Sequence, residues 1–360
     1  MDYLDLLWKD TADFTCTKAF NHFKFEPKFG EQPCEALVRE NESSDYTYKL
    51  LCTSEQRKQW LSDIPGIKQE HTGSVSILFC ARQQPPRSIA KQDGEAAHNR
   101  HVLEHLPFPV ETFQDVVVKL YVHDAFAKLT ARPTSTFWKA DSAVGDKKCV
   151  VYILCVDSIL VNHTAICLTY FPDTKQLFGV FLGCEPQDIR HIKSRIARGQ
   201  HLLSNPFLFL AIFIELEKKH RFEDVDKRVD DLEIKMKGLD KPSLFSPKSL
   251  LSEQDPGNLV KLYLKLSRLK VELTTWNGQL QNMQSCTEFF SSLIKDQAAK
   301  SAFNPGDYLS RTMNSFNEKI LRCETVMEGT SLAFQAVCDS SPSNTNLMDR
   351  MKDADIEIQL

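Results

Sequence analysis

Apolar residues recur three or four positions apart through the C-terminal third of the chain. Leu259, Leu262, Leu266, Leu269, Leu273, Trp276, Leu280 and Met283 form one such ladder. Leu309, Met313, Phe316, Ile320, Cys323 and Met327 form a second, and Phe222, Val225, Val229, Leu232, Met236 and Leu239 a third. This spacing puts each set on one stripe of a helix, the seam along which long helices pack. The dipeptides Asn205-Pro206, Asp255-Pro256 and Asn304-Pro305 punctuate the region. Asn and Asp are preferred N-caps, and proline suits the first helical position, where its missing N–H costs nothing. Helices over 206–239, roughly 256–294 and roughly 305–337 are therefore predicted, each on the order of 50 Å long. Pro242 and Pro247 mark the first linker, and Ser340-Ser341-Pro342 ends the last helix. Short linkers make consecutive helices antiparallel.

Upstream the pattern changes. Residues 75–81 (VSILFCA) read as a strand, and 149–157 as another. The runs 165–171 and 176–182 flank Pro172-Asp173-Thr174-Lys175, a type I turn signature, and predict a hairpin. Thr112–Thr130 reads as one helix with Phe113, Val117, Leu120, Tyr121 and Phe126 inward, and 186–199 as a helix with a basic outer face. Residues 83–99 begin as a loop, and residues 1–72 show no dominant period. The segment 206–216 (PFLFLAIFIEL) is apolar all round, as expected of a helix crossing a protein core, and is shorter than the ~20 residues that span a bilayer.

The predicted fold class is α/β, a mixed sheet with flanking helices, followed by a long antiparallel α-helical array or coiled coil. Four regions result: 1–72, poorly defined; 73–204, an α/β domain; 205–340, the three-helix array; and 341–360, a C-terminal tail.

Charge and cysteine usage narrow the function classes. A net charge of −4 argues against a general nucleic-acid binder. The eleven cysteines form no C-x-x-C pair, and several sit inside apolar runs such as 149–155. That usage fits a reducing compartment, hence a cytoplasmic setting for this chain. The signatures of phosphate loops, dinucleotide-binding turns, zinc peptidases and serine hydrolases are absent from the sequence, and its 13 glycines do not cluster, so no enzyme activity is expected.

Three constellations could carry chemistry. The acidic run Glu223, Asp224, Asp226, Asp230, Asp231 and Glu233 lies on the first long helix. Asp226 with Asp230, and Asp230 with Glu233, are helix-surface neighbours able to hold a largely hydrated Mg²⁺. The plainer alternative is a solvated face neutralised by Lys227 and Arg228. His98, His101 and His105, with Glu104, share a face if helical and could bind a transition metal, though a second ligand cluster is missing. Cys184 and His191 make a nominal pair that nothing orients. Trp276 sits in a seam, as a core residue does, and Gly278 within the second helix suggests close backbone packing. The ladders could satisfy one another or recruit a partner helix.

The strings Tyr170-Phe171-Pro172-Asp173-Thr174-Lys175-Gln176, Leu266 through Val271, Trp276 to Met283, Glu318 through Glu324 and Met327-Glu328-Gly329 resemble the CorA-like magnesium transporters, in their divergent fungal branch. The resemblance covers about 110–360. It implies a cytoplasmic part of a magnesium or divalent-cation transporter, weak regulatory Mg²⁺ binding on acidic helices, and homo-oligomerisation through the long helices. The family's Gly-Met-Asn tripeptide and membrane segments are not in this sequence. The tail Thr345–Leu360 is similar to the approach to a membrane helix, so membrane association is expected only of a longer relative. The alternative is a soluble coiled-coil interaction or scaffold protein with no ion role.

Overall fold

A computed structural model describes residues 32–81, 109–130, 134–156, 164–239, 256–294 and 303–340. Strands β1 (Cys34–Arg39) and β2 (Thr47–Leu51) precede α1 (Ser54–Asp63) and β3 (Val75–Ala81). Then come α2 (Val110–Lys119), α3 (Ala125–Thr130), β4 (Thr136–Val144), β5 (Lys147–Val156), β6 (Thr164–Phe171) and β7 (Gln176–Cys184). Helices α4 (Pro186–Arg198), α5 (Pro206–Leu239), α6 (Pro256–Gln284), α7 (Thr287–Ser292) and α8 (Pro305–Ser340) complete the order. These residues cluster in two units, one drawn from 1–216 and 282–305, the other from 217–281 and 306–360.

The first unit is built on a seven-stranded mixed sheet, in the order β2-β1-β3-β7-β6-β5-β4. Only β3 and β7 are parallel, and the other neighbours are antiparallel. The predicted hairpin is present: β6 and β7 pair through Phe171↔Gln176, with Lys175 at φ 52° closing the turn. Strands β6 and β7 are buried along their whole length because both sheet faces are covered, so they read as unbroken apolar runs. Leu78, Cys80, Cys149, Val151, Ile153, Cys155, Cys167 and Phe178 share one core with α1, α2 and α3. Burial pushes the Cys149 thiol up to about 11 and Cys167 to about 12, so these cysteines serve as small apolar side chains. Alternate residues face the other way: Tyr152 and Tyr170 meet Phe290 and Phe289, and Phe181 meets Phe209 and Phe213 near the start of α5. The apolar segment 206–216 thus crosses the core of the sheet unit. Asn205 caps its helix: the side-chain oxygen accepts from Phe207 N–H at 3.0 Å, and the amide donates to Phe290 O at 3.1 Å.

Two predicted helices are interrupted. The stretch 112–130 forms α2 and α3 rather than one helix. Val122 N–H bonds back to Val117 O, and Tyr121 adopts φ 52°, a Schellman stop made without glycine. A left-handed tyrosine is strained, and its ring compensates by packing edge-on against Phe171 and Phe178. The predicted helix 256–294 breaks between α6 and α7. There Ser285 and Thr287 turn their hydroxyls onto Asn282 O and Gln284 O and compete with the helical ladder. In the region of no dominant period the structure places β1, β2 and α1. Thr53 and Gln56 form a capping box for α1, a T-x-x-Q signature visible in the sequence.

The second unit contains the rest of α5, most of α6, and α8. Phe222 meets Phe316, Asp226 meets Lys319 and Arg322, and Met236 meets Thr330, so α5 and α8 run parallel. Asn277 bonds Asn317 at 2.7 Å and Lys270 pairs with Glu324 at 3.1 Å, so α6 runs opposite to α8. Ladder residues Val225, Val229, Leu232, Leu266, Leu269, Leu273, Trp276, Leu309, Phe316 and Cys323 are buried, while Leu262, Met313 and Ile320 are half-buried. The side chains of Leu239 and Leu259 lie outside the description. Among the described residues, no helix is long and apolar enough to cross a membrane.

Gly278 does not mark a close approach, contrary to the expectation: a Cβ there meets nothing within 4 Å. Its only cost is backbone entropy. Gly278→Ala is therefore expected to stabilise the helical unit by about 0.5–1 kcal/mol, read as a raised denaturation midpoint at unchanged slope. Unchanged or lower stability would show that something abuts this face.

Candidate acidic site on the long helices

The carboxylates of α5 are distributed around the helix by its 100° step. Asp226 and Asp230, one turn apart, are brought together on the side facing α8. What joins them is Arg322, with Lys319 beside it. Lys319 Nζ reaches Asp226 at 2.5 Å, and Arg322 bonds Asp226 at 2.6 Å and Asp230 at 3.3 Å. Lys319 also lies 5.2 Å over the Phe222 ring, which holds its stem against α5. Asp224 pairs with Arg228 at 2.9 Å within the same helix. Asp231, Glu223 and Lys227 are exposed, and Glu233 is half-buried. The plain reading, a charged face neutralised by nearby cations, therefore describes part of the run. The neutralising groups for Asp226 and Asp230 come from α8, 92 to 96 residues away, rather than from Lys227.

Among the described residues, no group of three or more His, Cys, Asp or Glu side chains is placed to hold a metal ion. Two adjacent carboxylates do match Mg²⁺, which keeps most of its waters and needs one or two protein oxygens. Such an ion would have to displace Arg322 or Lys319. These pairs are partly exposed, with Asp230 at 62%, so each contributes ~0.2–1 kcal/mol. An ion present at millimolar concentration competes with contacts of that strength.

One group of charges was not singled out from the sequence. Arg221 on α5 is wholly buried, its Nη1 lies 3.2 Å from Glu272 on α6, and its Nε lies 3.8 Å from Glu217 one turn back. The four-residue spacing of Glu217 and Arg221 is visible in the chain, but their burial is not. On α8, burial pushes the Cys323 thiol up to about 11.

The remaining candidates separate. His98, His101 and His105 lie outside the described residues. Cys184, at the end of β7, is near Cys80, whose thiol is pushed up chiefly by burial and further by Cys34 and Cys184, whereas His191 on α4 faces Glu215 at 3.7 Å. Glu215 also takes Arg195, and Glu35 takes Lys193, so these cations of the basic face of α4 are internally paired. In the sheet unit, Asp124 is held below the usual carboxylate range, first by its hydrogen bond with His123.

No family model matches the chain, and no curated protein matches it. Among solved structures, that of the full-length CmaX protein is similar at 10% identity and a TM-score of 0.39, covering 90% of this chain and 82% of that one. A superposition that loose carries no weight.

Proposed function

We propose that this chain is the cytoplasmic part of a CorA-like divalent-cation transporter system, with a regulatory rather than catalytic role, and that Mg²⁺ acts on it where α5 meets α8. The observation that carries the reading is the Asp226–Arg322–Asp230 bridge with Lys319 beside it. Two carboxylates of one helix are held by cations of another through contacts weak enough for a hydrated divalent ion to replace. The resemblance of the strings at 170–176, 266–283 and 318–329 supplies the choice of ion. In this mechanism Mg²⁺ takes the carboxylates, Arg322 and Lys319 turn to solvent, and the polar side of the α5–α8 contact loosens.

Trypsin cuts after Lys227 and Arg228, in the middle of this segment, and so reports on it. Millimolar Mg²⁺ is expected to speed that cleavage about two- to fivefold, the range set by one surface ion pair. Sodium chloride at matched ionic strength should not, and Asp226→Asn with Asp230→Asn should abolish the response. Cleavage of the 206–239 helix at the same rate with and without Mg²⁺ would sink the proposal.

A second reading has its own support. Ile234, Leu321 and Leu332 are 68%, 62% and 67% exposed on α5 and α8. Apolar side chains left out of the ladder seams suit a helical scaffold that assembles as a homo-oligomer or coiled coil without an ion. Light scattering separates the two, since a concentration-independent monomer with an intact Mg²⁺ response leaves only the first.

A further inference from the structure

We infer that the free edge of β2, with the face of α1 beside it, is a docking groove for an extended peptide segment carrying basic side chains four residues apart. Strand β2 ends the sheet, and among the described residues no strand pairs with its outer edge. Beside that edge runs a wide-open groove of about 640 Å³, lined by Lys49, Leu50 and Leu51 from the strand and Glu55, Gln56, Gln59, Trp60 and Asp63 from α1. The helix residues recur at i, i+1, i+4, i+5 and i+8, which is one face. A strand edge on one wall and a helix face on the other is the geometry in which a peptide adds a strand to a sheet. Main-chain hydrogen bonds then go to the edge, and alternate side chains point at the helix.

The lining states what the segment should carry. Leu51 and Trp60 are buried and form an apolar floor, and Leu50 is 59% exposed at the edge. Glu55 and Asp63 stand at the two ends, against the single cation Lys49. Eight helical residues separate them by about 12 Å, and four residues of extended chain span about 13 Å. A segment of pattern basic-x-apolar-x-basic therefore matches both carboxylates and the floor at once. Both carboxylates are held in place. Gln59 donates to Asp63 at 2.9 Å, and hydrogen bonds to its own backbone N–H and Thr53 keep Glu55 below the usual carboxylate range. A second copy of this chain fits less well. Antiparallel pairing of two β2 strands about their middle residue sets Lys49 against Lys49, a repulsion of the kind that guards edges from self-association.

The test uses the full chain and the fluorescein-labelled heptapeptide TKVLVKT, read by anisotropy at low salt. This peptide is expected to bind, and TEVLVET to bind about tenfold more weakly, as two rim charge pairs allow. The double variant Glu55→Lys with Asp63→Lys should reverse that preference, which also shows that it is folded. Methylating alternate backbone amides of the peptide, in both registers, should abolish binding in one register. The inference is overturned if TKVLVKT does not bind, as when the chain's own residues occupy the groove. Equal binding of both charge forms or of both methylated registers overturns it too, as does dimerisation of the chain that blocks the peptide.

Discussion

Arg221→Ala is expected to destabilise the helical unit by about 3–5 kcal/mol, among the largest effects of any single substitution in this chain. The side chain is wholly buried between Glu217 and Glu272, themselves 3% and 12% exposed at the side chain. Removing the guanidinium takes a buried cation from beside two carboxylates in a low-dielectric seam, and desolvation of an unbalanced charge costs far more than a surface pair. The loss should be read as hydrogen-exchange protection of α6 and of α5 beyond Glu217, since these report this unit directly. A compensated variant tests whether charge balance and volume together account for the loss. Arg221→Met combined with Glu217→Gln and Glu272→Gln removes all three charges at similar volume, and should recover most of the stability or exceed it. If the single and triple variants are equally unstable, neither charge imbalance nor lost volume explains the loss, and the hydrogen bonds of the guanidinium itself carry the site. A loss below 1 kcal/mol would mean that water already reaches the guanidinium.

Gly179→Ala is expected to destabilise the sheet unit by about 2–3 kcal/mol, and Gly179→Val by more. Gly179 lies mid-strand in β7, opposite Leu168 of β6 and Ile77 of β3. A Cβ built there would sit 2.6 Å from a Leu168 methyl and 2.8 Å from Cys167 O. The methyl can rotate away, but the carbonyl belongs to a strand paired on both sides, so the backbone must shift. That strand has neighbours on each edge and helices on each face, which leaves little room for relaxation. Faster amide exchange in β6 and β7, with the helical unit unchanged, is the expected reading. Unaltered exchange for Gly179→Ala would show that the pair relaxes at no cost, and the close approach would then carry no structural demand.

Much of the helical architecture was legible because its signals are local. A ladder such as Leu266, Leu269, Leu273 and Trp276 marks the buried stripe of a helix whatever lies across from it. Asn205-Pro206 marks a helix start through the residue's own hydrogen bonding. The hairpin at 172–175 was legible for the same reason. Interruptions were not. Tyr121 looks like an inward residue of a continuing helix, and what stops that helix is aromatic packing on Phe171 and Phe178, 50 or more residues away. Gly278 shows the opposite error, since a glycine in a helix suggests contact, yet open space surrounds it.

The candidate site divides along the same line. The acidic run and its one-turn spacings are written in residues 223–233. That Asp226 and Asp230 face Lys319 and Arg322 depends on α5 and α8 lying parallel in one register, which no window of local sequence contains. The burial of Arg221 is of the same kind, and so is the place of β2 at the end of the sheet, which strands far along the chain decide. The sequence by itself determined which segments become helix or strand and which stripe of each turns inward, because those follow from periodicity, capping and turn chemistry within a few residues. Only the tertiary structure decided which charges meet, which glycine is crowded and which strand is left as an edge. Each of these is a relation between segments distant along the chain, set by packing and desolvation rather than by local propensity.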